Sequence, residues 1–280
     1  MEYKNLTQEV KIPVLGLGTW EIGGRLSRDT SKDKEEIDVI KKAIELGYTH
    51  IDTAEMYGGG HSEELIGIAI KDFKRESLFI TTKVSPENLR YNDVIKSAEK
   101  SLNRLKTDYI DLYLIHVPNP KIPIKETMRA MNFLVKRKII KFIGVSNFGV
   151  EQLKEAQSYS ENKIVNNQIE YNLLTRLKGM YNDNIESEII PYCQENNIII
   201  TAWRPLAKGK LIEGRFQLLE ELERKYNKTR AQIAINWLIG KKNIITIPKS
   251  TNIEHLKENL GSLGWRLSEE DNKRLDEEFL

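Results

Sequence analysis

Four side chains that can hold or pass a proton fall at the carboxyl ends of apolar runs or just beyond them. They are Asp52 in "YTHIDTA", Tyr57 in the turn that follows, Lys83 in "LFITTKV" and His116 in "YIDLYLIHV". A lysine in an apolar strand is costly to bury unless a carboxylate pairs with it, and Asp52 is the obvious partner. Phe79, Thr81 and Lys83 share one face of their strand, and Ile110, Leu112, Leu114 and His116 share one face of theirs. Each residue also has an ordinary role. Asp52 can accept backbone N–H groups in its turn, Lys83 can reach for solvent, Tyr57 can pack a loop, and a lone histidine is usually structural. Four together at one end of three neighbouring strands point instead to a site that moves protons.

The elements that must position them alternate along the whole chain. Short apolar runs at 14–19, 48–54, 78–84, 109–117, 141–147, 164–171, 198–203 and 244–248 predict eight strands. Between them lie amphipathic stretches. In "DKEEIDVIKKAIELG" the apolar residues Ile37, Ile40, Ala43 and Ile44 recur at helical spacing and Gly47 supplies the stop. "NDVIKSAEKSLNRLKTD" repeats the pattern from Val94 to Leu105. Eight strands, each followed by a helix, predict an α/β fold of the (β/α)₈ TIM-barrel kind in one domain, 1–280. A doubly wound sheet would carry a glycine-rich phosphate loop opening a helix after its first strand; "GLGTWEIGG" opens none. Extra helices are expected at 216–226 and 229–240, near strands seven and eight, and at 268–278.

Composition removes several function classes. With 43 basic and 41 acidic residues interleaved, for a formal charge of +2, there is no basic face for nucleic acid. No apolar run reaches the length of a membrane span, and "MEYKNLTQEVKIPVLG" is no signal peptide. Cys193, the single cysteine, cannot form an internal disulfide and is expected to be a buried structural thiol in a cytoplasmic protein. His50, His61, His116 and His255 have no metal-binding spacing. Ser62 is expected to cap a helix, with Glu63 and Glu64 in its first turn and His61 in a surface loop.

The motifs "GLGTW", "GYTHIDTAEMYG", "TTKV", "LIHVP", "IGVSNF", "NQIEYN", "PLAKGKL" and "IPKST…ENL", in that order, resemble those of the aldo-keto reductase family, and the match runs to the final helix. The prokaryotic-type, short C-terminal form of the family is the nearer likeness. The resemblance implies a barrel that binds a nicotinamide cofactor without a Rossmann domain, and it makes Asp52, Tyr57, Lys83 and His116 the catalytic tetrad. In that reading a hydride attacks a carbonyl carbon and Tyr57 protonates the oxygen as general acid. Lys83 lowers the tyrosine pKa, Asp52 holds the lysine, and His116 orients the carbonyl.

The same resemblance assigns the cofactor contacts. Gly18, Thr19 and Trp20 match the first loop; Ser146, Asn147 and Gln168 match residues on the nicotinamide carboxamide; Tyr171 matches the aromatic that stacks on the ring. The loop with Arg204, Leu206 and Lys208 matches the segment over the pyrophosphate, with Arg204 and Ala207 where serines are common. Lys249 and Ser250 match contacts to a 2′-phosphate, and Glu258 and Asn259 match adenine contacts. His255 stands where an arginine is usual, and histidine is a weaker phosphate ligand at neutral pH. The expectation is NADPH in preference to NADH, less sharply than an arginine would give.

Trp20, Met56, Tyr57, Ser85, His116 and Val117 are expected to line the substrate mouth. Ser85 and Val117 replace tryptophans frequent in the family, and the chain is short after its last helix, so an open pocket for small carbonyl compounds is implied. The partner expected is that substrate, with no nucleic acid or membrane and a monomeric or weakly homo-oligomeric state. Two other readings compete: a cofactor-binding sensor with little turnover, and an aldolase forming an imine on Lys83.

Overall fold

The eight apolar runs pair in chain order as one parallel sheet, β3 (Leu17–Gly18), β4 (His50–Asp52), β5 (Phe79–Val84), β6 (Ile110–Ile115), β7 (Ile140–Ser146), β8 (Ile164–Glu170), β9 (Ile199–Trp203) and β10 (Ile244–Thr246). The structure is a computed structural model, and it describes residues 1–279. Leu15 bridges Thr246 in parallel, and Gly16 N donates to Thr246 O at 2.9 Å, so the first and last strands meet and the sheet closes. The fold is the (β/α)₈ barrel. Gly18 marks where closure is tightest: a Cβ there would stand 2.6 Å from Ile247 O.

Helices α1 (Asp33–Glu45), α2 (His61–Ala69), α3 (Tyr91–Leu105), α4 (Ile124–Lys136), α5 (Val150–Ser158) and α6 (Ile190–Glu195) follow the first six barrel strands. After β9 come the short α7 (Lys210–Glu213), α8 (Gln217–Tyr226) and α9 (Arg230–Gly240). After β10 come α10 (Ile253–Leu260) and α11 (Glu269–Glu278), so the extra helices stand where the sequence places them. In α1 the apolar stripe Val39, Ile40, Ala43 and Ile44 is buried and Gly47 turns the chain out at φ 106°. Fully burying a side chain the size of Ile40 stabilises by roughly 1.5–3 kcal/mol. No described helix is long and apolar enough to cross a membrane.

An element absent from the sequence reading sits at the amino end of the barrel. β1 (Tyr3–Asn5) and β2 (Lys11–Pro13) form an antiparallel hairpin. Lys4 Nζ donates to Ile239 O at 2.9 Å and Ile244 O at 2.6 Å, capping the end of α9, and burial pulls its pKa down to about 7.

Inside the barrel, below the tetrad, polar side chains pair across strands. His50 Nε2 meets Thr81 Oγ1 at 3.1 Å and Asn166 Nδ2 donates to Thr201 Oγ1 at 2.8 Å. Burial holds His50 down at about 4. An unfolded histidine titrates near 6.5, so below that pH the unfolded chain binds more protons than the folded one. Stability contributed by neutral His50 is therefore complete above about pH 6.5 and is lost as the pH falls toward 4, by about 3 kcal/mol at the limit. Urea midpoints measured across that window should fall, and His50→Asn should flatten the slope. An unchanged slope in the variant would show that His50 is not the group being charged.

Candidate active site

The pairing of β4 with β5 continues past the strand ends, with Thr53 N on Thr81 O at 2.9 Å and Glu55 N on Lys83 O at 3.2 Å. The chain then turns back sharply, Tyr57 N donating to Ala54 O at 3.1 Å. Gly58, Gly59 and Gly60 follow with φ of 58°, 63° and 97°, a left-handed run that side chains disfavour. A Cβ on Gly58 would also stand 2.3 Å from Gly23 O. The three glycines of the sequence thus set the turn that returns Tyr57 over the mouth of the barrel.

There the four predicted side chains converge. Lys83 Nζ, fully buried, donates to Asp52 Oδ1 at 2.5 Å, to Thr53 O at 2.7 Å and to the Tyr57 hydroxyl at 3.4 Å. The Tyr57 ring lies edge-on between Trp20, with centroids 4.9 Å apart, and His116 at 5.7 Å. Asp52 is 1% exposed, and its second oxygen, Oδ2, accepts from Gln168 Nε2 at 2.7 Å. Among the described residues no group hydrogen-bonds a ring nitrogen of His116, and its Nδ1 is enclosed.

Burial works against the Lys83 ammonium, but Asp52, and the Tyr57 oxygen after it, outweigh burial and hold its pKa above the ordinary amine value. A lysine held charged is no nucleophile, which disfavours an imine on Lys83. Tyr57 departs from expectation. Its pKa lies above the ordinary phenol value because burial outweighs the opposing pull of Lys83. The expected lowering is present as a contribution and loses to desolvation. His116 is held down at about 3, by burial first and Lys83 second, so its imidazole is neutral at any working pH. A bare nitrogen is cheaper to enclose than an unpartnered N–H, which assigns the proton to Nε2 rather than Nδ1.

A family model described as the Aldo/keto reductase family matches residues 14–278. The chain belongs to that family. It is 34% identical to methylglyoxal reductase YeaE of Escherichia coli (strain K12), over 97% of this chain and 92% of the relative. A thermostable aldo-keto reductase, solved with the inhibitor epalrestat, superimposes with a TM-score of 0.94 at 48% identity, covering 99% of this chain and all (100%) of the other. An aldo/keto reductase of Klebsiella pneumoniae, solved with NADP and acetate, gives 0.86 at 31%, over 97% and 93% of the two chains. Membership makes this chain an NAD(P)H-dependent carbonyl-reducing enzyme.

The other residues that family resemblance singled out divide by environment. Trp20, Met56 and Val117 are half-buried at the strand ends, whereas Ser85 is 7% exposed and its N–H donates to Glu55 Oε1 at 2.7 Å. Thr19 is fully buried and turns away from the mouth, its Oγ1 donating to Asp52 O at 3.0 Å. Ser146 and Asn147 are spent on bracing. Ser146 Oγ donates to Gln168 O at 2.9 Å; Asn147 Nδ2 donates to His116 O at 3.0 Å, and its Oδ1 accepts from Trp203 Nε1 at 3.2 Å. Gln168 differs, since nothing described donates to its Oε1.

Tyr171 requires correction as the stacking aromatic. It is fully buried, its hydroxyl donates to Glu186 Oε1 at 2.5 Å, and its ring packs on Trp237 at 5.3 Å, so no face is free for a ligand. Strand parity explains it: Asn166 and Gln168 face the barrel interior, so Tyr171 faces the helices. Trp203, at the end of β9, is half-buried and shares parity with inward-facing Thr201. Arg204 Nη1 pairs with Glu170 Oε1 at 3.2 Å and its guanidinium covers Trp203 at 4.7 Å. Leu206 is half-buried and Lys208 exposed in the same loop. Lys249 and His255 are exposed around the start of α10, Glu258 is half-buried, and Asn259 is 3% exposed. Ser250 Oγ is committed to Asn252, which caps α10 by accepting from Glu254 N at 2.8 Å.

Two further expectations change. α2 starts at His61 after a left-handed Gly60, so Ser62 is no cap; its hydroxyl joins Thr19 and Thr53 beneath Asp52. His61 is 5% exposed, its ring nitrogens each 2.8 Å from a carboxylate, Asp33 and Glu64, and Glu63 is buried on Thr82 and Arg104. Cys193 is a buried thiol with its pKa pushed up to about 12 by burial.

Proposed function

We propose that this chain reduces small aldehydes and ketones with NADPH, Tyr57 delivering the proton. The observation that carries the reading is the single Lys83 ammonium shared by Asp52 Oδ1, at 2.5 Å, and the Tyr57 hydroxyl, at 3.4 Å. Nicotinamide, when bound, supplies the hydride. As negative charge grows on the carbonyl oxygen, the Tyr57 O–H moves its proton to that oxygen, and Lys83 offsets the charge left on the phenolate. The raised phenol pKa keeps Tyr57 protonated until that moment. Neutral His116 offers Nε2–H to the same oxygen, and Trp20 with Met56 and Val117 excludes water from it.

The residues present fit the cofactor. Gln168 Oε1 is an unused acceptor for an amide, and Trp203 offers an indole in place of Tyr171. The capped start of α10 presents backbone N–H groups beside exposed Lys249 and His255, a setting for a 2′-phosphate. Oxidation of NADPH against an aldehyde panel that includes methylglyoxal tests the activity. NADPH should exceed NADH in kcat/KM, and His255→Arg should widen the ratio by about tenfold, the worth of one added charge-assisted contact. Equal efficiencies with both cofactors would remove the preference. Tight NADPH binding without turnover would favour a sensor.

A further inference from the structure

We infer that Gln168 is a positioning residue that fixes Asp52, and through it Lys83 and Tyr57, in addition to any contact it makes with cofactor. Asp52 is anchored from both sides, Oδ1 by Lys83 Nζ at 2.5 Å and Oδ2 by Gln168 Nε2 at 2.7 Å, with Asp52 1% and Gln168 3% exposed. The amide orientation follows from chemistry. Turned over, Gln168 would set its carbonyl oxygen against a carboxylate oxygen, so the NH₂ must face Asp52.

The consequence runs along a chain of hydrogen bonds. Gln168 holds the carboxylate plane so that Oδ1 faces Lys83, and it draws charge toward Oδ2. Lys83 in turn meets the Tyr57 hydroxyl. Gln168 comes from β8, whereas the other members come from β4, β5 and the loop after β4, so it ties the proton-donating side of the barrel to the far side. Its free Oε1 faces away from Asp52. An amide donor received there would strengthen the Nε2–H bond to Asp52 by polarisation and so prepare the proton donor as cofactor binds. The inference rests on the carbonyl-reductase reading for its rates, and on the two distances for its geometry.

In Gln168→Leu the Asp52 Oδ2 is a buried acceptor without a partner. Hydride transfer in single turnovers at saturating NADPH, followed by cofactor fluorescence with methylglyoxal as probe, should slow about tenfold to a hundredfold. The Tyr57 titration should move to higher pH, because the unshared Asp52 charge opposes a phenolate; it is read as phenolate absorbance minus that of the matching Tyr57→Phe derivative. Gln168→Glu should recover rate at low pH, where its protonated carboxyl can donate to Oδ2, and lose it as that proton leaves. A leucine variant with weaker NADPH binding, an unchanged rate at saturation and an unmoved phenol titration would make Gln168 a cofactor contact alone and overturn the inference. The phenol titration needs no turnover, so a wild-type chain inactive on every carbonyl would end the functional proposal and still decide this one.

Discussion

Tyr57→Phe is expected to reduce kcat by about a hundredfold to ten-thousandfold, the usual contribution of a placed general acid. NADPH binding should stay within about twofold, a difference of about 0.4 kcal/mol. Phenylalanine keeps the ring that lies edge-on between Trp20 and His116, so packing survives and only the O–H is lost. Neither of its ionisable neighbours, Lys83 and His116, stands ready to replace it. Lys83 is held charged behind the tyrosine by Asp52, and His116 is neutral with its pKa at about 3. Rapid-mixing measurement of NADPH oxidation, with a fluorescence titration of binding, separates the two effects. A variant that retains a tenth or more of the rate would leave His116 or water as the acid.

How much of this was legible in the sequence depended on periodicity. All eight barrel strands follow from apolar runs, and positions at the carboxyl ends of those runs, with inward parity for Lys83 and His116, bring Asp52, Lys83 and His116 to one end. Tyr57 lies in a loop, where periodicity says nothing, and its placement depends on three glycines whose left-handed angles a sequence only hints at. The β1–β2 hairpin was missed because three-residue strands show too little alternation. Tyr171 was misplaced although the needed signal was present: the alternation that turns Gln168 inward turns Tyr171 outward. The same rule, applied to β9, points to Trp203. The balance of burial against charge at Tyr57 lay beyond any pattern, because it depends on how completely the mouth encloses the phenol.

Lys83→Met separates what the buried charges do for folding from what they do for chemistry. Methionine fills most of the lysine stem's volume but leaves Asp52, 1% exposed, with Gln168 as its only side-chain partner among the described residues. Removing one member of a buried pair typically costs about 3–5 kcal/mol, so the urea midpoint should fall steeply. Turnover should fall about a hundredfold or more, since the phenolate loses the positive charge that offsets it. Adding Asp52→Asn removes the stranded charge and gives Gln168 a neutral amide to bond, so the double variant should regain much of the lost stability. It should regain none of the rate, because Tyr57 still has no ammonium beside it. Activity that returned together with stability would mean that the pair acts on catalysis only by holding the fold. Stability restored without activity would locate the function of Lys83 in its charge, 3.4 Å from the tyrosine oxygen, where a proton must leave.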